Sequence, residues 1–144
     1  MLAGPVNKKD SWIQKLQSLA GEDSSVVWTG MLQGNEKWGA LCSADAMILP
    51  SHQENYGMVV AEACSVGLPV YLTKKVNLWR EIIDAGAGVA ENDDPAGIQN
   101  LVDQWLLAED RAERSHAAKQ CFEQRLHIDR TVENLCKIFE QAPA

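Results

Sequence analysis

Positive charge is scarce in this chain: 13 Lys and Arg stand against 20 Asp and Glu, a formal net charge of -7. Proteins that track nucleic-acid phosphates draw much of their affinity from concentrated Lys and Arg, so the balance argues against that partner class and leaves a small-molecule site open. Long hydrophobic runs are also missing. The purely apolar stretches are a few residues long, far below the roughly 20 that span a bilayer, and no secretory leader pattern opens the sequence. The 4 cysteines, Cys42, Cys64, Cys121 and Cys136, form no CxxC pair and have no His cluster at metal-ligand spacing. A zinc site is therefore not expected, and the thiols read as reduced, in a cytoplasmic protein. With no low-complexity linker and no internal repeat, the 144 residues read as a single domain, long enough to bury a continuous core.

What is present is an ordinary globular balance, 46% apolar and 23% charged residues. Short β-rich runs alternate with longer stretches of helical period, as in βαβ units, which predicts an α/β, Rossmann-like parallel sheet flanked by helices. Leu2-Ala3-Gly4 looks like the tail of a buried strand whose beginning has been cut away, and further strands are predicted at 26–28, 46–49, 69–72 and 87–90. A helix capped by Asp10 carries Trp12, Ile13, Leu16 and Leu19 and ends at Gly21; others are predicted at 35–44, at 57–66 before Gly67, and at 78–85 after a cap at Asn77. Asp94-Pro95 opens a helix to about residue 107, because the carboxylate accepts orphan amides and proline lacks a donor that would go unpaired. The remainder, 109–141, reads as two helices broken near His127. The 5 tryptophans, Trp12, Trp28, Trp38, Trp79 and Trp105, fall on apolar faces and read as core or interface residues.

Chemistry concentrates after the strand 46–49, which stops at Pro50. In a parallel α/β sheet, ligands bind beyond the C-terminal strand ends, where helix N-termini point free amides at anions. The loop 51–55 carries Glu54 to that edge, and Gly57 lets backbone approach a ligand closely. Amides of residues 56–59 would face phosphate oxygens. Glu62, about a turn and a half into the helix, can accept from two neighbouring hydroxyls such as the diol of a ribose. Glu54 suits another diol or a positive charge developing on a sugar ring. Taken without context, two glutamates with seven residues between them more often solvate a surface. His52 either reaches the ligand or is solvated, and the same alternatives hold for Lys74 and Lys75 at phosphates.

These residues also carry a resemblance. The run P-S-x-x-E-N-Y-G-M-V-V-A-E-A-x-x-x-G-L-P-V at 50–70 resembles the C-terminal domain of retaining glycosyltransferases of family 4, which adopt the GT-B fold. The hallmark pair of glutamates is matched by Glu54 and Glu62, the aromatic-glycine pair by Tyr56-Gly57, and the G-x-P-V by Gly67, Pro69 and Val70. Val27 to Gly30, Ala44-Asp45, and Glu81-Ile82-Ile83 with Gly86 and Gly88 beyond them extend the likeness to residues 2–107.

The resemblance implies a domain that binds a nucleoside-diphosphate sugar, with a separate N-terminal domain for the acceptor. It implies Glu54 as the catalytic residue, near the reacting carbon of the transferred sugar, and Glu62 on the ribose hydroxyls. The backbone of Asn55, Tyr56, Gly57, Met58 and Val59 would serve sugar hydroxyls and the diphosphate, Ser51 and His52 count among the donor-binding residues, and Gly30, Met31 and Leu32 would edge the base. The implied chemistry is hexosyl transfer with retained configuration, assisted by the leaving diphosphate, with no metal or other cofactor. Family members usually carry an Arg and a Lys for the diphosphate on a segment before the strand that here begins at Met1; Lys8, Lys9, Lys74 and Lys75 match neither position. The chain is thus expected to be a donor-binding fragment, weak or inactive alone, whose partners are the nucleotide sugar and the missing acceptor domain. Peripheral attachment to a membrane and a lipid-linked acceptor stay open for the full-length protein. Rival readings are a GT-B sugar-nucleotide epimerase and a non-catalytic interaction module. Val132, Leu135, Cys136 and Phe139 form a stripe that must bury against something, and family similarity suggests the interdomain region.

Overall fold

The computed structural model describes residues 1–5 and 10–141, so Lys8 and Lys9 lie outside the described residues. The chain divides into two compact units, Met1–Ala40 and Leu41–Ala144, with the division inside α2 (Gly34–Ser43).

In the first unit β1 (Leu2–Ala3) pairs parallel with β2 (Trp28–Gly30). The Leu2 amide donates to Val27 O at 2.7 Å, Gly4 N–H to Gly30 O at 2.9 Å, and the Thr29 hydroxyl to Leu2 O at 3.2 Å. β2 starts two residues later than the sequence pattern predicts. A turn delays it: the Asp23 carboxylate takes the Ser25 amide at 2.9 Å and the Asp23 carbonyl takes the Val26 amide at 3.2 Å. α1 (Ser11–Ala20) begins as predicted, with Asp10 accepting the Trp12 amide at 2.8 Å, and ends as Gly21 N–H returns to Gln17 O at 3.0 Å. Its apolar residues do not enter the core, since Trp12 is 66% and Leu19 75% exposed.

The second unit is built on a parallel sheet of order β3 (Met47–Leu49), β4 (Val70–Thr73), β5 (Gly88–Glu91). α3 (Met58–Ser65) links the first two strands and α4 (Trp79–Asp84) the second pair; α5 (Pro95–Leu106) and α6 (Arg111–Cys121) come after β5. β4 is buried along its whole length because both of its faces are covered. Val70 and Leu72 join Val60, Cys64, Ile82, Ala118 and Cys121 in one apolar cluster, whereas Tyr71 points the other way and packs with Val89 and Leu101. The α5 start is the predicted one: Asp94 accepts the Gly97 amide at 2.8 Å, with Pro95 at the first position. α4 differs, because Leu78 rather than Asn77 occupies the cap and no side chain bonds there.

The helical C-terminus breaks where expected, through a π-helical turn at Phe122–Leu126 that ends in extended His127. Beyond it lies α7 (Ile128–Gln141), and Ile128, Val132, Leu135, Ile138 and Phe139 on it are exposed. The predicted stripe exists, uncovered. Trp38 is exposed like Trp12, while Trp28, Trp79 and Trp105 are half-buried, and Trp79 and Trp105 pack against the two core clusters.

Candidate functional site

β3 ends at Leu49, Pro50 stops it, and residues 51–57 form the loop to α3. Three contacts tie that loop to the end of β4 and the turn beyond it. The Thr73 hydroxyl donates to the Ser51 carbonyl, and the Glu54 amide donates to Lys75 O at 3.2 Å. Gly57 adopts φ 79° and is buried; a Cβ there would meet Val76 Cγ1 at 3.0 Å and Glu54 Cγ at 3.6 Å. The stem of Glu54 therefore lies beside Gly57. A fourth contact reaches sideways, His52 Nδ1 to Asp93 Oδ2 at 3.2 Å, across to the segment after β5. That hydrogen bond holds the Asp93 carboxyl below its ordinary value against an opposing desolvation, with smaller help from its own backbone and the Lys75 charge.

Gly57 is also the residue before α3, and no side chain caps that helix. The Val60 amide turns back to Gly57 O at 2.8 Å, which leaves the Met58 and Val59 amides without an acceptor among the described residues. This is the electrostatic arrangement that suits an anion: outward N–H groups, the positive end of the helix dipole, and a glycine that keeps side-chain atoms away. Val60, Ala61, Ala63 and Cys64 are the buried positions of α3. Helical period then puts Met58, Glu62 and Ser65 on the opposite side, where Glu62 is half-buried and its carbonyl accepts from the Ser65 hydroxyl at 2.7 Å.

The structure thus gathers Ser51, His52, Glu54, Asn55, Tyr56, Gly57, Met58 and Val59 at the carboxyl edge of β3, with Glu62 one turn beyond Met58. Tyr56 and Met58 are exposed there, as are Lys74 and Lys75. Gly30, which closes β2 with φ 72°, exposed Met31 and half-buried Leu32 belong to the first unit. Sequence reasoning missed Thr73 and Asp93. For Thr73 the signal was a hydroxyl residue closing the apolar run Val70-Tyr71-Leu72; for Asp93 there was none, because its partner lies 41 residues away.

A cavity of about 330 Å³ lies elsewhere, lined by Asp45, Gly67, Pro69, Arg111 and Ser115 among others. It sits where β3 and β4 begin, opposite to the edge at which parallel sheets bind ligands. Among the described residues no three His, Cys, Asp or Glu side chains are grouped to hold a metal ion, and no helix is long and apolar enough to cross a membrane.

Comparison with known proteins adds a second line of observation. Residues 2–121 match the family described as Glycosyl transferases group 1. The D-inositol 3-phosphate glycosyltransferase of Arthrobacter sp. (strain FB24) is 36% identical over 81 residues, which cover 56% of this chain and 19% of that protein. The D-inositol 3-phosphate glycosyltransferase of Acidothermus cellulolyticus (strain ATCC 43068 / DSM 8971 / 11B) is 28% identical over 153 aligned positions, covering 100% of this chain and 33% of that protein. Against these relatives the chain spans a third of their length or less. The solved structure of sucrose-phosphate synthase from Thermosynechococcus elongatus superposes with a TM-score of 0.75 at 19% identity, over 97% of this chain and 37% of that one. The shared architecture is the GT-B type, with parallel sheets flanked by helices.

Proposed function

We propose, since this chain belongs to the group 1 glycosyl transferases, that its second unit binds a nucleoside-diphosphate sugar and serves a sugar transfer that retains anomeric configuration. One observation carries the reading: a loop acid, Glu54, is fixed at the carboxyl edge of a parallel sheet beside a helix whose uncapped N-terminus opens with Gly57. The Met58 and Val59 amides would take diphosphate oxygens, neutralising charge that grows as the sugar bond breaks. Glu54 would lie against the ring that becomes positive, and an anion there lowers the barrier electrostatically. Glu62 would accept from the ribose diol. Tyr56 and the neighbouring backbone would meet sugar hydroxyls, and the acceptor would be bound by parts of the enzyme outside this chain. The proposed chemistry uses no metal.

Calorimetric titration of UDP, GDP and ADP into the protein tests this. One of the three should bind, and Glu62→Ala should weaken it by about 1 to 3 kcal/mol, the range for lost hydrogen bonds to a charged group. A folded protein that ignores all three nucleotides would favour a non-catalytic module instead. Unchanged affinity in the Glu62 variant would remove the ribose assignment alone.

A further inference from the structure

Thr73 is the only buried polar or charged residue among the described residues, with a relative exposure of 0%. It closes β4 after three apolar residues, where valine would fill the same space without placing a hydroxyl away from water. That hydroxyl donates to the Ser51 carbonyl, at the start of the Glu54 loop. The segment 73–76 is itself a turn, closed by Val76 N–H to Thr73 O at 3.0 Å. From this turn come the Thr73 hydroxyl to Ser51, the Lys75 carbonyl to Glu54, and the Val76 side chain against Gly57. Start, middle and end of the loop each rest on it. Asp93 adds the sideways tie through His52.

We infer that Thr73 is a positioning residue: its hydroxyl anchors the loop 51–57 on the turn after β4 and so sets where the backbone of Glu54 stands, with Asp93 holding the His52 side of the same loop. Neither residue needs to touch the donor. The inference rests on the donor-binding reading of that loop for its consequence in affinity, and on geometry alone for its consequence in loop order. Without these ties the half-buried Glu54 would sit on an untethered loop of seven residues, and transition-state electrostatics reward a charge that is already in place.

The test compares wild type with Thr73→Val, Thr73→Ser and Asp93→Asn, by amide hydrogen exchange across 51–57 together with affinity for the best-bound nucleoside diphosphate. Thr73→Val keeps the shape of the buried site, and circular dichroism checks that the sheet persists. Its Glu54 amide should exchange about 3- to 10-fold faster, the effect of losing one net hydrogen bond, while Thr73→Ser should stay within about 2-fold of wild type. Asp93→Asn, at a half-buried position, replaces the charged acceptor of His52 by a weaker neutral one and should speed exchange at residues 52 and 53, and unchanged exchange there would remove Asp93 from the assignment. Equal exchange in wild type and Thr73→Val, or equal loosening in the serine and valine variants, overturns the assignment. If Thr73→Val loosens the loop and no nucleotide binds wild type, the positioning holds and the donor reading falls.

Discussion

Glu54 and Val76 form an isolated parallel bridge, a single rung set beyond the last pair of the β3–β4 ladder, Leu49 with Leu72. The loop that leaves β3 therefore returns to the sheet once before entering α3. The backbone of the acid inherits the sheet's register, while its carboxylate stays outside it. Such a residue combines the rigidity of a strand with the reach of a loop, which suits the electrostatic role proposed for Glu54.

Gly57→Ala should strain that corner and, on the proposed donor reading, weaken its binding as well. A side chain at φ 79° costs about 1 to 2 kcal/mol by itself, and the new methyl would press on Val76 Cγ1 at 3.0 Å and Val60 Cγ2 at 3.3 Å. Urea unfolding should show a loss of about 2 kcal/mol or more. Nucleotide affinity should fall with it, because relief of the contact shifts Glu54 and the first turn of α3. A variant as stable as wild type would show that the αL geometry is not required.

Two other glycines should give opposite results. At Gly88 a Cβ would come within 1.7 Å of the Val70 carbonyl, so alanine cannot fit without parting β4 from β5. Gly88→Ala should cost more than about 4 kcal/mol, the range reserved for broken cores and ladders. Gly39 lies inside α2 with nothing within 4 Å, so Gly39→Ala should stabilise by about 0.5 to 1 kcal/mol through helix propensity. The same denaturation series measures both signs.

The parallel sheet of the second unit was legible because buried strands flanked by helices read as short apolar runs, and Met47 to Leu49 and Val70 to Leu72 are such runs. Glu54, Gly57 and Glu62 were legible as a motif, and Asp94-Pro95 as a cap, since both signals are local. What the sequence could not convey is non-local. The Thr73 hydroxyl reaches Ser51, 22 positions away, and Asp93 reaches His52 across four intervening elements, α3, β4, α4 and β5. Periodicity also misled at the surface of α1, whose amphipathic spacing leaves Trp12 and Leu19 exposed, whereas the α7 stripe is present as read and lies uncovered, with Phe139 exposed. A hydrophobic stripe says that a face would gain from cover, not that cover is supplied.

That distinction predicts different costs for similar side chains. Leu101 is fully buried on α5 against Tyr71 and Val89, so Leu101→Ala should lose about 2 to 5 kcal/mol, transfer energy plus the cavity left behind. Phe139 is 74% exposed on α7, and Phe139→Ser should change stability by no more than about 0.5 kcal/mol. Equal losses at the two positions in chemical denaturation of the isolated chain would mean that α7 is covered in solution.

The cysteines give a test that depends on pH. Cys64 is wholly buried, and desolvation, aided by nearby Cys121, pushes its thiol up to about 12 from an ordinary 9.0. Cys121 is shifted upward for the same leading reason, whereas Cys42 and Cys136 are exposed. An aromatic disulfide reagent at about pH 8 should therefore modify Cys42 and Cys136 quickly in the folded protein and the other two only after unfolding. Linkage adds the sign. Above the unfolded thiol value near 9.0 the folded chain retains protons that the unfolded chain has lost, so stability is fully present below that pH and declines as pH rises toward about 12. Replacing Cys64 with alanine should remove most of that decline along with some packing energy. Rapid modification of all four thiols in a protein still folded by circular dichroism would show that the α3–α6 layer opens far more readily than its burial implies.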